Sequence, residues 1–199
     1  MTEQTAREQR NDERRRRILT AARERADVDG WSAVTTRHLA DAIGYTQPVL
    51  YSHFPGGKAE IMLAIALQGF VDFTRACRAA LGQKRGRRAI EAVANAYLDF
   101  GSQHPAIYEA MFQQPIDTRF ASDDTSPDLR AAFQVLSDAV ADQSGGATTE
   151  VFWGTLHGIS LLERSGRMRS EHRAARIAEL GQRFTTDAIE FGRLSPTNR

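Results

Sequence analysis

The chain has 199 residues, a formal net charge of +1, 41% hydrophobic and 26% charged residues, which suits a soluble chain with a real core in one domain or two small ones. No run approaches the roughly 18 apolar residues of a membrane span, and the charged start MTEQTAREQRNDERRRRI lacks the apolar stretch of a secretory signal. The single cysteine, Cys77, excludes a disulfide framework or a cysteine-based zinc site, and a reducing cytoplasm is the expected location.

The pattern reads as almost entirely helical, because apolar residues recur at spacings of three and four and never alternate over a strand's length. A first helix is expected from about Asn11 to Asp27, with Ile18, Leu19, Ala22 and Ala26 on one face and Asp29-Gly30 ending it. Its start holds Arg14 to Arg17 in a row. Residues 1–58 carry 10 Lys/Arg against 8 Asp/Glu, a net +2, while the remainder is net −1. Such a basic run is either a solvated helix end or a feature that meets phosphate.

A second helix, Thr36 to Ile43, is capped by Thr35 and stopped by Gly44. A third, Gln47 to His53, has Thr46 as its cap and Pro48 in its first turn, where the missing N–H costs little. After Pro55-Gly56-Gly57 a long helix runs from Lys58 to about Leu81. Further helices follow from Arg87 to Gln103, Pro105 to Met111, Asp128 to Gln143, Thr148 to Arg164 and Glu171 to Gly192. The polar stretch at 113–127 reads as a loop. The division between domains is placed at 11–57 and 58–193.

Two short helices joined by a tight turn behind a supporting helix make a helix-turn-helix. Ala40 permits close helix approach, Gly44 permits a positive φ, and Leu39, Leu50, Trp31 and Phe54 face the core. The third helix is left to project outward. The stretch TTRHLADAIGYTQPVLYSHF resembles the DNA-binding signature of TetR-family transcriptional regulators at Thr35, Leu39-Ala40, Gly44, Leu50-Tyr51, His53 and Phe54. Two positions depart from that family's pattern: Tyr45 replaces a small aliphatic residue, and PGGK sets Lys58 one residue further from Phe54 than usual.

The resemblance implies an all-α regulator with a double-stranded DNA operator and a small-molecule effector as partners, acting as a homodimeric repressor. It implies phosphate contacts from Thr35, Thr36 or Arg37, Tyr51, His53 and Lys58. It implies base-edge or sugar-phosphate contacts from Tyr45, Thr46, Gln47 and Pro48, and a grazing or minor-groove role for Arg16 and Arg17. Gln47 is the leading candidate for direct readout, since its amide pairs bidentately with adenine.

Towards the C-terminus, Trp153 to Gly158 resembles a TetR C-terminal domain type marked by tryptophan, histidine and glycine. The last two helices of such proteins pair with their twins. Phe152, Leu156, Ile159 and Leu162 or Glu163, with Ile177, Leu180, Phe184 and Ala188, supply stripes that serve the chain's own core, a dimer interface or both together, and Gly154 and Gly158, four apart, leave a flat strip for close helix approach. Phe70, Phe73, Tyr97, Phe100, His104, Tyr108, Met111, Phe112, Trp153 and His157 are the candidate lining of an effector pocket, with ordinary core as the alternative.

Enzyme readings fare poorly. A nucleotide-binding P-loop needs G-x-x-x-x-G-K-[ST] after a strand, but Ser52 stands at the first glycine and Ala59 at the hydroxyl residue. Gly158-Ile159-Ser160-Leu161-Leu162 lacks the second glycine of a nucleophile elbow. The five histidines form no H-E-x-x-H pattern, so no metal, cofactor or catalytic residue is expected. Two alternatives to the regulator remain: a helical small-molecule-binding protein without operator binding, and an enzyme on a helical scaffold.

Overall fold

The structure, a computed structural model, describes residues 3–112 and 126–185, with side chains from residue 6. Its described residues form nine α-helices and no strand: α1 Glu3–Asp29, α2 Thr36–Ala42, α3 Gln47–His53, α4 Gly57–Leu81, α5 Gly86–Gln103, α6 Pro105–Phe112, α7 Pro127–Val140, α8 Ala147–Arg164 and α9 Arg173–Phe184. The all-α expectation holds. Most of the loop expected at 113–127 lies outside the described residues, as do Ala188 and the end of the last helix.

Helix α1 begins eight residues before the sequence reading placed it. Residues 3–10 carry no apolar stripe, so periodicity cannot detect them. They are strong helix formers without a breaker, and propensity alone extends the helix. A short 3-10 turn at Trp31–Ala33, which the sequence reading missed, connects α1 to α2.

The chain divides into two compact units. The first takes residues up to Asp72 and returns for Gln103–Arg130; the second takes Phe73–Ser102 and the chain from Ala131 onward. In the first unit, Ile18, Ala22 and Ala26 fall on one face of α1 and are buried with Trp31, Val34, Leu39, Leu50, Phe54, Ile61 and Ile65. Leu19 is only half-buried. Helix α6 belongs to this unit and is tied to its N-terminal part by two long-range bonds. Trp31 Nε1 donates to the Ala106 carbonyl at 2.9 Å, and the Ala106 amide donates to Asp27 Oδ1 at 3.2 Å. Gly69 on α4 lets α6 come close: a Cβ there would lie 2.5 Å from Ile107 Cγ2 and 2.7 Å from Met111 Sδ.

The second unit buries α5, α7, α8 and α9 against one another through Ile90, Val93, Tyr97, Leu136, Phe152, Leu156, Ile177 and Leu180. Cys77 is wholly buried there. Burial pushes its thiol up to about 12, which leaves it an inert apolar filler. No described helix is long and apolar enough to cross a membrane.

Candidate nucleic-acid interface

Thr35 caps α2 as expected: its side chain accepts from the His38 amide at 3.2 Å. Gly44 then turns the chain with φ +70°, a conformation that favours glycine. Helix α3 follows with Pro48 in its first turn. Leu50 and Phe54 are buried, while Thr46, Gln47, Pro48, Tyr51 and Ser52 are exposed. The outward face of α3 therefore presents Thr46, Gln47, Pro48 and Tyr51 of the residues expected to meet DNA, with Ser52 beside them, while His53 is half-buried. Thr46 occupies the cap position, but its side chain makes no capping bond, which corrects the expected cap. Its extended backbone fits the position, and the hydroxyl stays at the surface.

Across the turn, Thr36 Oγ1 and Tyr51 Oη lie 3.4 Å apart. These two hydroxyls, from the start of α2 and the middle of α3, form a pair of donors beside one another. Gly57 packs beneath them, where a Cβ would stand 3.4 Å from Tyr51 Cε1 and 3.6 Å from Thr36 Cγ2. Arg37 is exposed beside them, with no ion pair to Asp41 among the described residues.

The arginine run also makes contacts within the chain. Arg15, which the sequence reading did not single out, donates to the His53 carbonyl at 2.8 Å. Its guanidinium also lies 4.1 Å from the Phe54 ring centroid. It fastens the C-terminal end of α3 to α1. Arg17 donates to Tyr45 Oη at 3.1 Å and to the Ile43 carbonyl at 3.2 Å. Arg16 pairs with Glu13 at 2.9 Å in an exposed, weak ion pair. Both arginines are thus engaged within the chain. Tyr45 has Arg17 over its ring at 5.2 Å and Arg14 at 6.0 Å, so it holds the arginines as well as facing outward.

Lys58 also turns inward, with Nζ donating to the Trp31 carbonyl. That bond ties the start of α4 to the turn after α1 and takes one of its three donors. Glu60 Oε2 accepts from the Gly56 amide at 2.9 Å and satisfies the entry to the same helix. The extra residue in PGGK is accommodated by this turn.

Rings of the aromatic set pack on one another within each unit. In the first unit, Phe112 meets Phe70 edge-on at 5.5 Å and Tyr108 at 4.8 Å, with Met111 buried on the same helix. In the second, Phe73 meets Tyr97 at 5.3 Å and Phe100 at 5.6 Å, both edge-on. Each unit thus has rings packed edge to face or at a tilt. His104 is exposed, and Trp153 and His157 are half-buried on α8. Burial, and then the charge of Arg164, hold His157 below the usual histidine range.

The stripe expected at the dimer interface needs correction. Phe152, Leu156, Ile177 and Leu180 are buried inside a single chain, and Phe152 packs at a tilt against Phe184, ring centroids 4.9 Å apart. A side chain already covered by its own chain offers no surface to a partner. Ile159 is half-buried, and Ala188 lies outside the described residues. The apolar residues that α8 leaves outside are Val151, Leu161 and Leu162.

These features match known proteins. Residues 18–65 match the family model for bacterial regulatory proteins of the tetR family, and residues 90–185 match the tetracyclin repressor-like C-terminal domain. The HTH-type transcriptional regulator Rv0681 of Mycobacterium tuberculosis is 31% identical over 165 residues, 77% of this chain and 72% of that one. YobS of Bacillus subtilis, also an HTH-type transcriptional regulator, is 30% identical over 102 residues, 51% of this chain and 53% of its own length. The HTH-type transcriptional activator FasR of Mycolicibacterium smegmatis is 30% identical over 132 residues, 66% of this chain and 58% of its own. The chain thus spans little more than half the length of these last two relatives. Among solved structures, the putative regulatory protein SCO4313 superposes with a TM-score of 0.71 at 21% identity, over 89% of this chain and 97% of that one. The chain belongs to the TetR family of transcriptional regulators.

Proposed function

We propose that the protein is a cytoplasmic homodimeric repressor that binds a palindromic operator through α3 and leaves it when a small molecule binds. The observation that carries this reading is the exposed first turn of α3. Thr46, Gln47 and Pro48 stand outward on a helix anchored from behind by Leu50, Phe54 and Arg15. A helix N-terminus with exposed amides and side chains suits the major groove and its flanking phosphates. Gln47 reads a base; the Thr36 and Tyr51 hydroxyls, with Thr35, Arg37 and His53, hold phosphate. Tyr45, Thr46 and Pro48 contact base edges or the rim. Lys58 and Arg17 serve chiefly to hold the reading head's shape, while Arg16, exposed on α1, grazes the backbone or enters the flanking minor groove.

The effector reading rests on α6. This helix carries Tyr108, Met111 and Phe112 into an aromatic cluster, and its first turn is bonded to Asp27 and Trp31. A ligand entering that cluster displaces rings already in contact. It thereby shifts α6 and the bonds that hold the end of α1. Its effect is limited by its differential affinity for the two arrangements.

The test is a gel shift and footprint on DNA upstream of the protein's own gene, with a reporter to give the sign of regulation. Gln47→Ala is expected to flatten base preference at one position, costing about 1–3 kcal/mol on the preferred site. Tyr51→Phe is expected to weaken all sequences about equally. Absence of salt-dependent binding to any fragment overturns the operator reading, and activation in the reporter overturns the repressor reading.

A further inference from the structure

Helices α5, α8 and α9 of the second unit enclose a pocket of about 210 Å³. No aromatic residue lines it. Leu98 and Met168 give it an apolar wall, and Arg164, Arg173 and Arg176 face it against a single carboxylate, Glu163. The wall is therefore positive.

Glu163 answers only part of that charge. It accepts from Arg176 Nη2 at 2.6 Å and lies 3.7 Å from Arg173 Nη1. Asp99 takes Arg173 Nη2 at 2.6 Å, and the Arg169 carbonyl takes Arg176 Nη1 at 2.9 Å. Arg176 Nε is buried and has no partner. Ser160, only 2% exposed, lines the same pocket, and its hydroxyl also has no partner. A helical serine ordinarily bonds the carbonyl four residues back, and buried polar atoms without partners are few in native proteins. Two such donors on one arginine-rich wall mark the place of an acceptor.

We propose that this pocket binds a short-chain carboxylate, its oxygens accepting from Ser160 Oγ and Arg176 Nε and its hydrocarbon lying on Leu98 and Met168. The volume holds about seven water-sized groups, which fits an acid of about four carbons. Planar guanidinium groups suit a carboxylate's geometry. The proposal does not rest on operator binding and is tested on the protein alone.

The experiment is calorimetric titration and thermal unfolding of the full chain with sodium butyrate, butyramide, sodium chloride or inorganic phosphate at matched ionic strength. Butyrate is expected to bind saturably with a Kd of about millimolar order, and to raise Tm with the logarithm of its concentration. Butyramide and chloride leave Tm unchanged, and phosphate binds more weakly than butyrate. Ser160→Ala removes a hydroxyl without a partner, so without butyrate it unfolds at or above the wild-type temperature. It weakens butyrate about tenfold through loss of a charge-assisted bond. Arg176→Lys keeps the charge but loses Nε, and is expected to abolish the titration. Butyrate no better than chloride, phosphate as tight as butyrate, or unchanged butyrate affinity in Ser160→Ala overturns the proposal.

Discussion

Arg15 shows how one side chain sets the attitude of the reading head. The third helix has only seven residues, too short to hold itself in water. Its buried anchors, Leu50 and Phe54, fix one face. Its C-terminal carbonyls need partners as well, and Arg15 supplies one to His53 while covering Phe54. Arg15→Ala removes a charge-assisted hydrogen bond and a cation–π contact from a half-buried position, a loss of about 1–2 kcal/mol. The melting temperature is expected to fall by about 2–8 °C. DNA affinity should fall for all sequences alike, because the helix is loosened and no base contact is removed. Differential scanning calorimetry with a gel shift checks both; a change of base preference would place Arg15 at the DNA instead. Neighbouring arginines differ in duty because successive helical residues point some 100° apart. A run of four identical letters therefore conceals four environments, and only Arg16 is committed to an exposed pair alone.

At the scale of elements, helix starts and close approaches decide what each helix tolerates. Helix α8 begins after Gly146, which has no side chain to cap it. Asp142 does so from outside. Its carboxylate accepts from Ser144 Oγ and the Ser144 amide at 2.6 Å, and from Thr149 Oγ1 at 2.5 Å and the Thr149 amide at 2.9 Å. The Ser144 hydroxyl foremost, then the Thr149 hydroxyl and the amides, hold this carboxyl far below the usual carboxylate range. A depressed folded pKa contributes stability that is complete above the unfolded value, near pH 4, and is lost as pH falls through the folded one. Asp142→Ala is expected to melt a few degrees lower at neutral pH, and the gap from the wild type should close as pH drops below about 4. A gap independent of pH would mean that shape, not charge, makes the cap. Gly69 tests close approach. Gly69→Ala gains helix propensity of about 1 kcal/mol, yet its methyl overlaps Ile107 and Met111, both buried. Overpacking costs about 1–3 kcal/mol, so net destabilisation is expected in denaturant titration, together with altered operator affinity if α6 carries the signal.

These elements also show what a sequence reveals. The cap at Thr35, the turn at Gly44 and the buried Leu50 and Phe54 were legible, because each is a local requirement on a residue type. The cap on α8 was not, since Asp142 acts from five residues before the helix. The first eight residues of α1 were missed because they bury no stripe. Periodicity located the apolar face of α8 at Phe152 and Leu156 but was silent on what covers it, and the chain itself does.

At the scale of the whole molecule, that correction moves the expected dimer face around α8. Val151, Leu161 and Leu162 are 62%, 37% and 38% exposed. Between them Gly154 and Gly158 stand in open space, with no atom within 4 Å of where a Cβ would lie. Residues 151, 154, 158, 161 and 162 share one helical face. It is apolar at its ends and flat in its middle, which suits close crossing by the same helix of a second copy about a two-fold axis. The palindromic operator proposed above would demand such symmetry, with two copies of α3 set about one DNA turn apart. Gly158→Glu separates this face from folding. The new Cβ meets nothing within 4 Å, and glycine is a poor helix former, so circular dichroism should show unchanged helix content. A carboxylate at the centre of an apolar two-fold contact meets its own copy, and sedimentation should show a monomer. Operator affinity should then fall by about 100-fold or more, because a monomer loses the gain from engaging both half-sites together. A Gly158→Glu protein that stays dimeric would place the interface on another surface.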